Sequence, residues 1–377
     1  MNPIVELNAL GQSLWYDNIQ RSLLKNGEMA RLIASGDIRG VTSNPSIFNN
    51  AIAKTHDYDP SLIPMARTGL SSEQIFSKLT IEDIQTAADL FLPLYRSTHG
   101  GDGYVSLEVS PYLAHDTADT VNEAKRLWSE VNRPNLMVKI PATLEGIPAI
   151  SKTIAAGINI NITLIFSLDR YAQVMDAYLK GLEERSQTGL SIAEIASVAS
   201  FFVSRVDTKV DAQLQVLVAQ NGPSSANANA LMGKAAIANA RLAYDQFLHV
   251  FSSDQFMRLA TLGARKQRPL WASTSTKNLA YRDVIYIEEL IGPDTVNTTP
   301  PQTLDAFRDH GKARLSITEN VSQADQDLAA LEELGIHMST VTTELEVEGV
   351  KAFSDAITAL LKTIEERRVG ALAQPAA

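Results

Sequence analysis

The 377-residue sequence contains no cysteine. Disulfides and thiolate metal sites are therefore excluded, and a reducing compartment is the natural setting. No apolar run reaches the length of a membrane span, and the N-terminal segment, with its acidic Glu6, lacks the basic-then-apolar pattern of a signal peptide. A soluble, cytoplasmic protein is expected. Glycine and proline number only 20 and 15, and no stretch is rich enough in Gly, Pro or Ser to act as a linker. Positive charge is in deficit: 33 Lys and Arg against 43 Asp and Glu give a net charge of −10, which disfavours nucleic acid and anionic membrane as partners. An anionic substrate would need a few local cations to hold it against that field. Also missing are a His-Glu-x-x-His pair, a Gly-x-x-x-x-Gly-Lys-Ser/Thr loop and a Gly-x-Ser-x-Gly elbow. No metal or nucleotide cofactor is expected.

What is present is a regular alternation. Short strand-like segments centre near residues 14, 41, 107, 138, 163, 200, 271 and 297, with helical periodicity between them. Most neighbours are separated by one strand–helix unit, and the two wider gaps, after residues 41 and 200, accommodate inserted helices. Eight such units predict a (β/α)₈ TIM barrel of the α/β class with inserted helices, spanning residues 1–377 as one domain. Helices are expected over 18–35, through most of 50–99 in at least two segments, and over 207–256 with an interruption at Gly222-Pro223. Residues 342–368 read as a long C-terminal helix, and 370–377 as a frayed tail.

The segment Asn135-Leu136-Met137-Val138-Lys139-Ile140-Pro141-Ala142-Thr143 holds a lysine inside an apolar strand. Such a lysine either snorkels to the strand end or is a desolvated amine of the kind that attacks carbonyls and forms Schiff bases. In a barrel, chemistry collects at the C-terminal ends of the strands. The polar residues there are Asp17, Asn44, Glu108, Lys139, Asn161 with Thr163, Ser200 with Arg205, and Ser275 with Lys277. Asp17 and Asn44 also read as helix N-caps, and Phe202 as core. A buried amine, two carboxylates and hydroxyl donors at one mouth make a coherent set for Schiff-base chemistry on a phosphorylated carbonyl compound.

These segments resemble the transaldolases. Thr42-Ser43-Asn44-Pro45-Ser46 is similar to that family's Thr-x-Asn-Pro-Ser motif, Ser106-Leu107-Glu108-Val109 to its glutamate strand, and Val138-Lys139-Ile140-Pro141-Ala142-Thr143 to the strand of its Schiff-base lysine. Asn161-Ile162-Thr163-Leu164-Ile165-Phe166-Ser167 and the Ser-x-Phe-Val-x-Arg run from Ser200 to Arg205 follow in the right order. Where many members carry Ser-x-Arg-Asn, this chain has Ser275-Thr276-Lys277-Asn278. The insertion around 210–265 and the long C-terminal part resemble the longer bacterial subgroup.

The resemblance implies transfer of a dihydroxyacetone unit from sedoheptulose 7-phosphate or fructose 6-phosphate to glyceraldehyde 3-phosphate or erythrose 4-phosphate, in the non-oxidative pentose phosphate pathway. It implies Lys139 as the Schiff-base residue, Asp17 as the base in carbon–carbon cleavage, and Glu108 with Thr163 as the proton carriers. Thr42, Asn44, Asn161, Ser200 and Phe202 would line the substrate, and Arg205, Ser275 and Lys277 would hold phosphate. Partners are then small sugar phosphates, and the chain is expected to be a monomer or homodimer. A simple aldolase releasing free dihydroxyacetone and a non-catalytic barrel are the competing readings, separable by product analysis and by borohydride trapping.

Overall fold

The computed structural model describes residues 2–373. Eight parallel strands close into a barrel in sequence order: β1 (Gln12–Tyr16), β2 (Gly40–Val41), β3 (Tyr104–Glu108), β4 (Leu136–Pro141), β5 (Ile160–Ile165), β6 (Ser197–Phe202), β7 (Arg268–Ala272) and β8 (Thr295–Thr299). Each coincides with one of the eight segments expected from the sequence. The barrel shuts through five register pairs between β1 and β8, from Gln12↔Thr295 to Tyr16↔Thr299. Every residue of β4, β5 and β6 is buried, as strands covered by helices outside and packed side chains inside must be.

The two-residue β2 opens on a glycine for a steric reason. Gly40 lies against the Trp15 indole so closely that a Cβ there would come within 2.6 Å of the ring. Only glycine lets strand and indole share that space. At the N-terminal pole of the barrel Asp102 gathers Ser13 at 2.8 Å, Arg39 at 2.6 Å and Arg268 at 3.3 Å. This buried carboxylate has cationic partners, as burial of charge requires.

The helices depart from expectation in detail. The helix expected over 18–35 is two, Arg21–Lys25 and Glu28–Ala34, broken where Asn26 Oδ1 accepts the Glu28 N–H at 2.8 Å. By contrast Ser72–Ser97 is one continuous helix, opened by a reciprocal capping box between Ser71 and Gln74. The 207–256 stretch divides into Ser204–Ala219, Ser225–Leu231, Ala235–Val250 and the start of Asp254–Thr261. It therefore breaks not only at Gly222-Pro223 but also at 232–234 and 251–253, where Ser253 caps the last helix.

The terminal helix, Met338–Ala373, is longer than expected at both ends. It takes in residues 370–373, which had been expected to fray; the rest of that tail lies outside the described residues. Its buried stripe of Leu345, Gly349, Phe353, Ile357, Leu360 and Ile364 repeats at helical spacing. That stripe packs on Asp59–Arg67, on Ser72–Ser97 and on β5. The helix thus lies over the C-terminal ends of the strands. No helix among the described residues is long and apolar enough to cross a membrane.

Candidate active site

In parallel sheets, register partners present their side chains to the same face. Glu108, Lys139 and Asn161 are such partners across β3, β4 and β5. Lys139, 4% exposed, sends its Nζ to the Ser43 carbonyl at 3.1 Å. Glu108 Oε2 lies 3.5 Å from that Nζ, an ion-pair distance without a hydrogen bond. Burial pushes the Glu108 carboxyl above the usual carboxylate range, and the Lys139 charge partly opposes the rise. The lysine does not snorkel outward. It is held inside, beside a carboxylate biased toward holding a proton.

Asp17 follows β1 and continues its ladder, donating its N–H to the Thr299 carbonyl at 2.8 Å. The first helix after it begins at Arg21 with Gln20 as N-cap, so Asp17 is not a cap. Its Oδ1 accepts from Thr42 Oγ1 at 2.6 Å, and Thr298 Oγ1 supports Thr42 at 2.7 Å. Burial raises the Asp17 carboxyl, against the lowering effects of the Thr42 bond and of the Lys139 and Arg205 charges. Asn44 combines two roles: its Oδ1 caps the Pro45–Phe48 helix through the Ile47 N–H at 3.0 Å, and it also lines the cavity.

A cavity of about 400 Å³ opens at this end of the barrel. Of the twelve residues expected at the site, ten line it: Asp17, Thr42, Asn44, Lys139, Thr163, Ser200, Phe202, Arg205, Ser275 and Lys277. The other two lie beneath or beside it. Asn161 is fully buried, donating to Ser106 Oγ at 3.0 Å and accepting from Ser200 Oγ at 2.7 Å, which makes it a brace between strands. Glu108 contacts Lys139 but borders a neighbouring apolar cavity that runs under Ile357 and Leu361. Thr163 Oγ1 and Glu108 Oε2 are buried without a hydrogen-bond partner. One stands beside the lysine and the other lines the same cavity, and they leave acceptor and donor capacity for a reacting molecule.

Cations gather at one side of the mouth. Arg205 stands in the first turn of Ser204–Ala219, a helix whose N-terminus favours anions, and its guanidinium sits 5.2 Å over the Phe202 ring. Lys277 donates to Ser275 Oγ at 2.6 Å. Burial lowers both cations, and Arg205 lowers Lys277 further. Two mutually repelling cations are the arrangement a phosphate dianion relieves. They also answer the problem set by a chain of net charge −10.

Two contributors were not foreseen. The Ser43 carbonyl that orients Lys139 is backbone, and a sequence carries no direct mark of such a role. Phe353, on the terminal helix, lines the cavity with its ring centroid 5.9 Å from Lys139 Nζ. Its place in an apolar helical stripe was readable; what the stripe would cover was not.

The chain matches the family model described as Transaldolase/Fructose-6-phosphate aldolase over residues 14–364. It is 48% identical over 366 residues to a transaldolase of Parafrankia sp. (strain EAN1pec), an alignment covering 97% of this chain and 98% of that protein. A transaldolase of Thermobifida fusca (strain YX) is 48% identical over 371 residues, with 97% and 98% covered. One from Thiobacillus denitrificans (strain ATCC 25259 / T1) is 46% identical over 364 residues, with 97% and 100% covered.

Proposed function

The chain belongs to the transaldolase/fructose-6-phosphate aldolase family, and from that premise we propose that it is a transaldolase working through a Schiff base on Lys139. The observation that carries the assignment of the lysine is its place: a buried amine lining the cavity, 3.5 Å from Glu108.

The Lys139 amine adds to the ketone carbon of a ketose phosphate, sedoheptulose 7-phosphate or fructose 6-phosphate, and water leaves as the imine forms. Glu108 takes the proton that frees the amine and returns one to the departing oxygen, with Thr163 holding the water. The protonated imine then withdraws the electron pair of the adjacent carbon–carbon bond. Asp17 takes the proton of the hydroxyl on the far carbon, the bond breaks, and an aldose phosphate leaves. The three-carbon enamine bonds to the aldehyde carbon of the acceptor, glyceraldehyde 3-phosphate or erythrose 4-phosphate, and hydrolysis frees the new ketose.

Asn44 and Ser200 meet the hydroxyls of the three-carbon fragment, with Asn161 fixing Ser200 from below. Arg205, Lys277 and Ser275 hold the phosphate. The setting is the cytoplasm, and the working unit is a monomer or homodimer.

The test is chemical trapping. Borohydride reduction in the presence of fructose 6-phosphate should add a stable mass increment to the peptide containing Lys139, and Lys139→Ala should abolish both the increment and the transfer. Transfer by Lys139→Ala at even about a tenth of the original rate would rule out a Schiff base there, since loss of a covalent nucleophile costs orders of magnitude more.

A further inference from the structure

One wall of the substrate cavity comes from outside the barrel. Phe353 is 4% exposed, lines the cavity, and holds its ring centroid 5.9 Å from Lys139 Nζ. The helix bearing it is seated closely. One turn earlier, Gly349 lies against Leu164 so tightly that a Cβ would come within 2.8 Å of a Leu164 methyl. Leu164 follows Thr163 in the bulged end of β5, with φ +59°. The helix is fastened on both sides of Phe353. Lys209 pairs with Glu344 at 2.7 Å and Glu348 at 2.6 Å, and Tyr112 meets Thr358 at 2.7 Å. An aromatic side chain is thus pinned over the reacting amine by a segment that supplies no other residue to the cavity.

We propose that Phe353 determines whether the three-carbon unit on Lys139 passes to an aldose or is lost to water. This rests on the Schiff-base reading. In transfer, the enamine carbon bonds to the aldehyde carbon of the acceptor, whose oxygen takes a proton. In loss, the same carbon takes a proton, water adds to the imine carbon, and the C=N bond breaks to free dihydroxyacetone and the amine. On its side of the nitrogen the apolar ring offers no hydrogen-bonding group to position a second water, beyond the one held by Thr163. It also faces a nitrogen that is cationic in the protonated imine. At 5.9 Å that attraction is at the edge of its range, so exclusion of water is the larger effect.

The two effects separate by substitution. Phe353→Leu keeps an apolar wall without a π face and should leave the ratio of free dihydroxyacetone to transferred product within about threefold of the original. Phe353→Ala opens the wall and should raise that ratio about tenfold or more, with Phe353→Val between them. Should the alanine variant fail to fold, the leucine and valine variants still give the order.

Leu360→Ala is the control. Leu360 is fully buried on the same helix but lines neither cavity, so this variant should loosen the helix without moving the ratio. The assay uses fructose 6-phosphate and erythrose 4-phosphate in one mixture, with borohydride trapping on each variant. Absence of trapping in the unsubstituted protein would overturn the Schiff-base reading itself. Trapping with an unchanged ratio in Phe353→Val and Phe353→Ala would overturn only the role of the ring. So would a ratio that rises as far in Leu360→Ala as in Phe353→Ala.

Discussion

Glu108 and Lys139 face each other from adjacent strands in register, their charged ends 3.5 Å apart and their side chains only 6% and 5% exposed. Burial pushes the Glu108 carboxyl up and the Lys139 charge only partly opposes the rise, so a carboxyl biased toward holding a proton stands beside the amine. Proton exchange between them needs no diffusion.

Glu108→Gln keeps the shape of the side chain and removes its proton traffic. Formation and hydrolysis of the imine should slow by roughly 10²–10⁴-fold, the usual worth of a positioned acid–base group, while phosphate affinity stays the same. The rate of borohydride trapping in a single turnover measures the first, and product inhibition the second. A variant that traps at the original rate would remove Glu108 from the proton path.

Arg205→Ala should weaken phosphorylated substrates by about 1.5–3 kcal/mol, the value of a hydrogen bond to a charged group, and leave a non-phosphorylated ketose nearly unaffected. Comparing kcat/KM for fructose 6-phosphate and fructose gives the difference. Equal losses on both would mark Arg205 as structural, acting through its stacking on Phe202. Lys277→Arg should be tolerated, because Lys277 is exposed at the mouth.

Phe202→Tyr changes the wall chemically without opening it. Phe202 packs between the Phe166 ring, 5.1 Å away, and the Arg205 guanidinium, so the near-isosteric tyrosine should stay in place and bring a hydroxyl able to orient water. More free dihydroxyacetone and less transfer are expected from fructose 6-phosphate. An unchanged product ratio in a folded, trappable variant would return Phe202 to the role of core.

A pH dependence follows from Asp207, two residues beyond Arg205. Its carboxylate is buried, accepts from the Ala236 N–H and the Tyr286 hydroxyl at 2.7 Å each, and is pushed up to about 6 chiefly by burial. The folded value exceeds the unfolded one, so Asp207 contributes stability fully below about pH 4 and loses that contribution as pH rises through about 6. Asp207→Asn removes the titration. Measured by urea unfolding, the variant should gain on the original protein between pH 4.5 and 7 by up to roughly 2–3 kcal/mol. A constant difference across that range would mean that Asp207 keeps an ordinary carboxylate pKa.

The strands were legible because most are short apolar runs ending in polar residues, and the alternation with helices recurs along the whole chain. The placement of the candidate site residues was legible too: Asp17, Lys139, Thr163 and Ser200 stand on or directly after strands, where fold alone directs them to one mouth. Asn44 shows a limit of choosing between roles, since its side chain caps a helix and lines the cavity together. Asn161 shows another: its strand position was readable, but its use as a brace depends on Ser106 and Ser200, 55 and 39 residues away. Phe353 depends on a docking more than two hundred residues from Lys139, and no local pattern encodes which surface a helix stripe will meet.

The order of assembly has a consequence for a chain emerging from a ribosome. β1 has no partner on one edge until β8 is made, and the ring over Lys139 arrives some fifty residues later still, with the terminal helix. Contacts of such long sequence separation form late and slowly. Lys139 is therefore synthesised early and enclosed last, so a nascent or prematurely stopped chain carries the amine without the chamber that governs it.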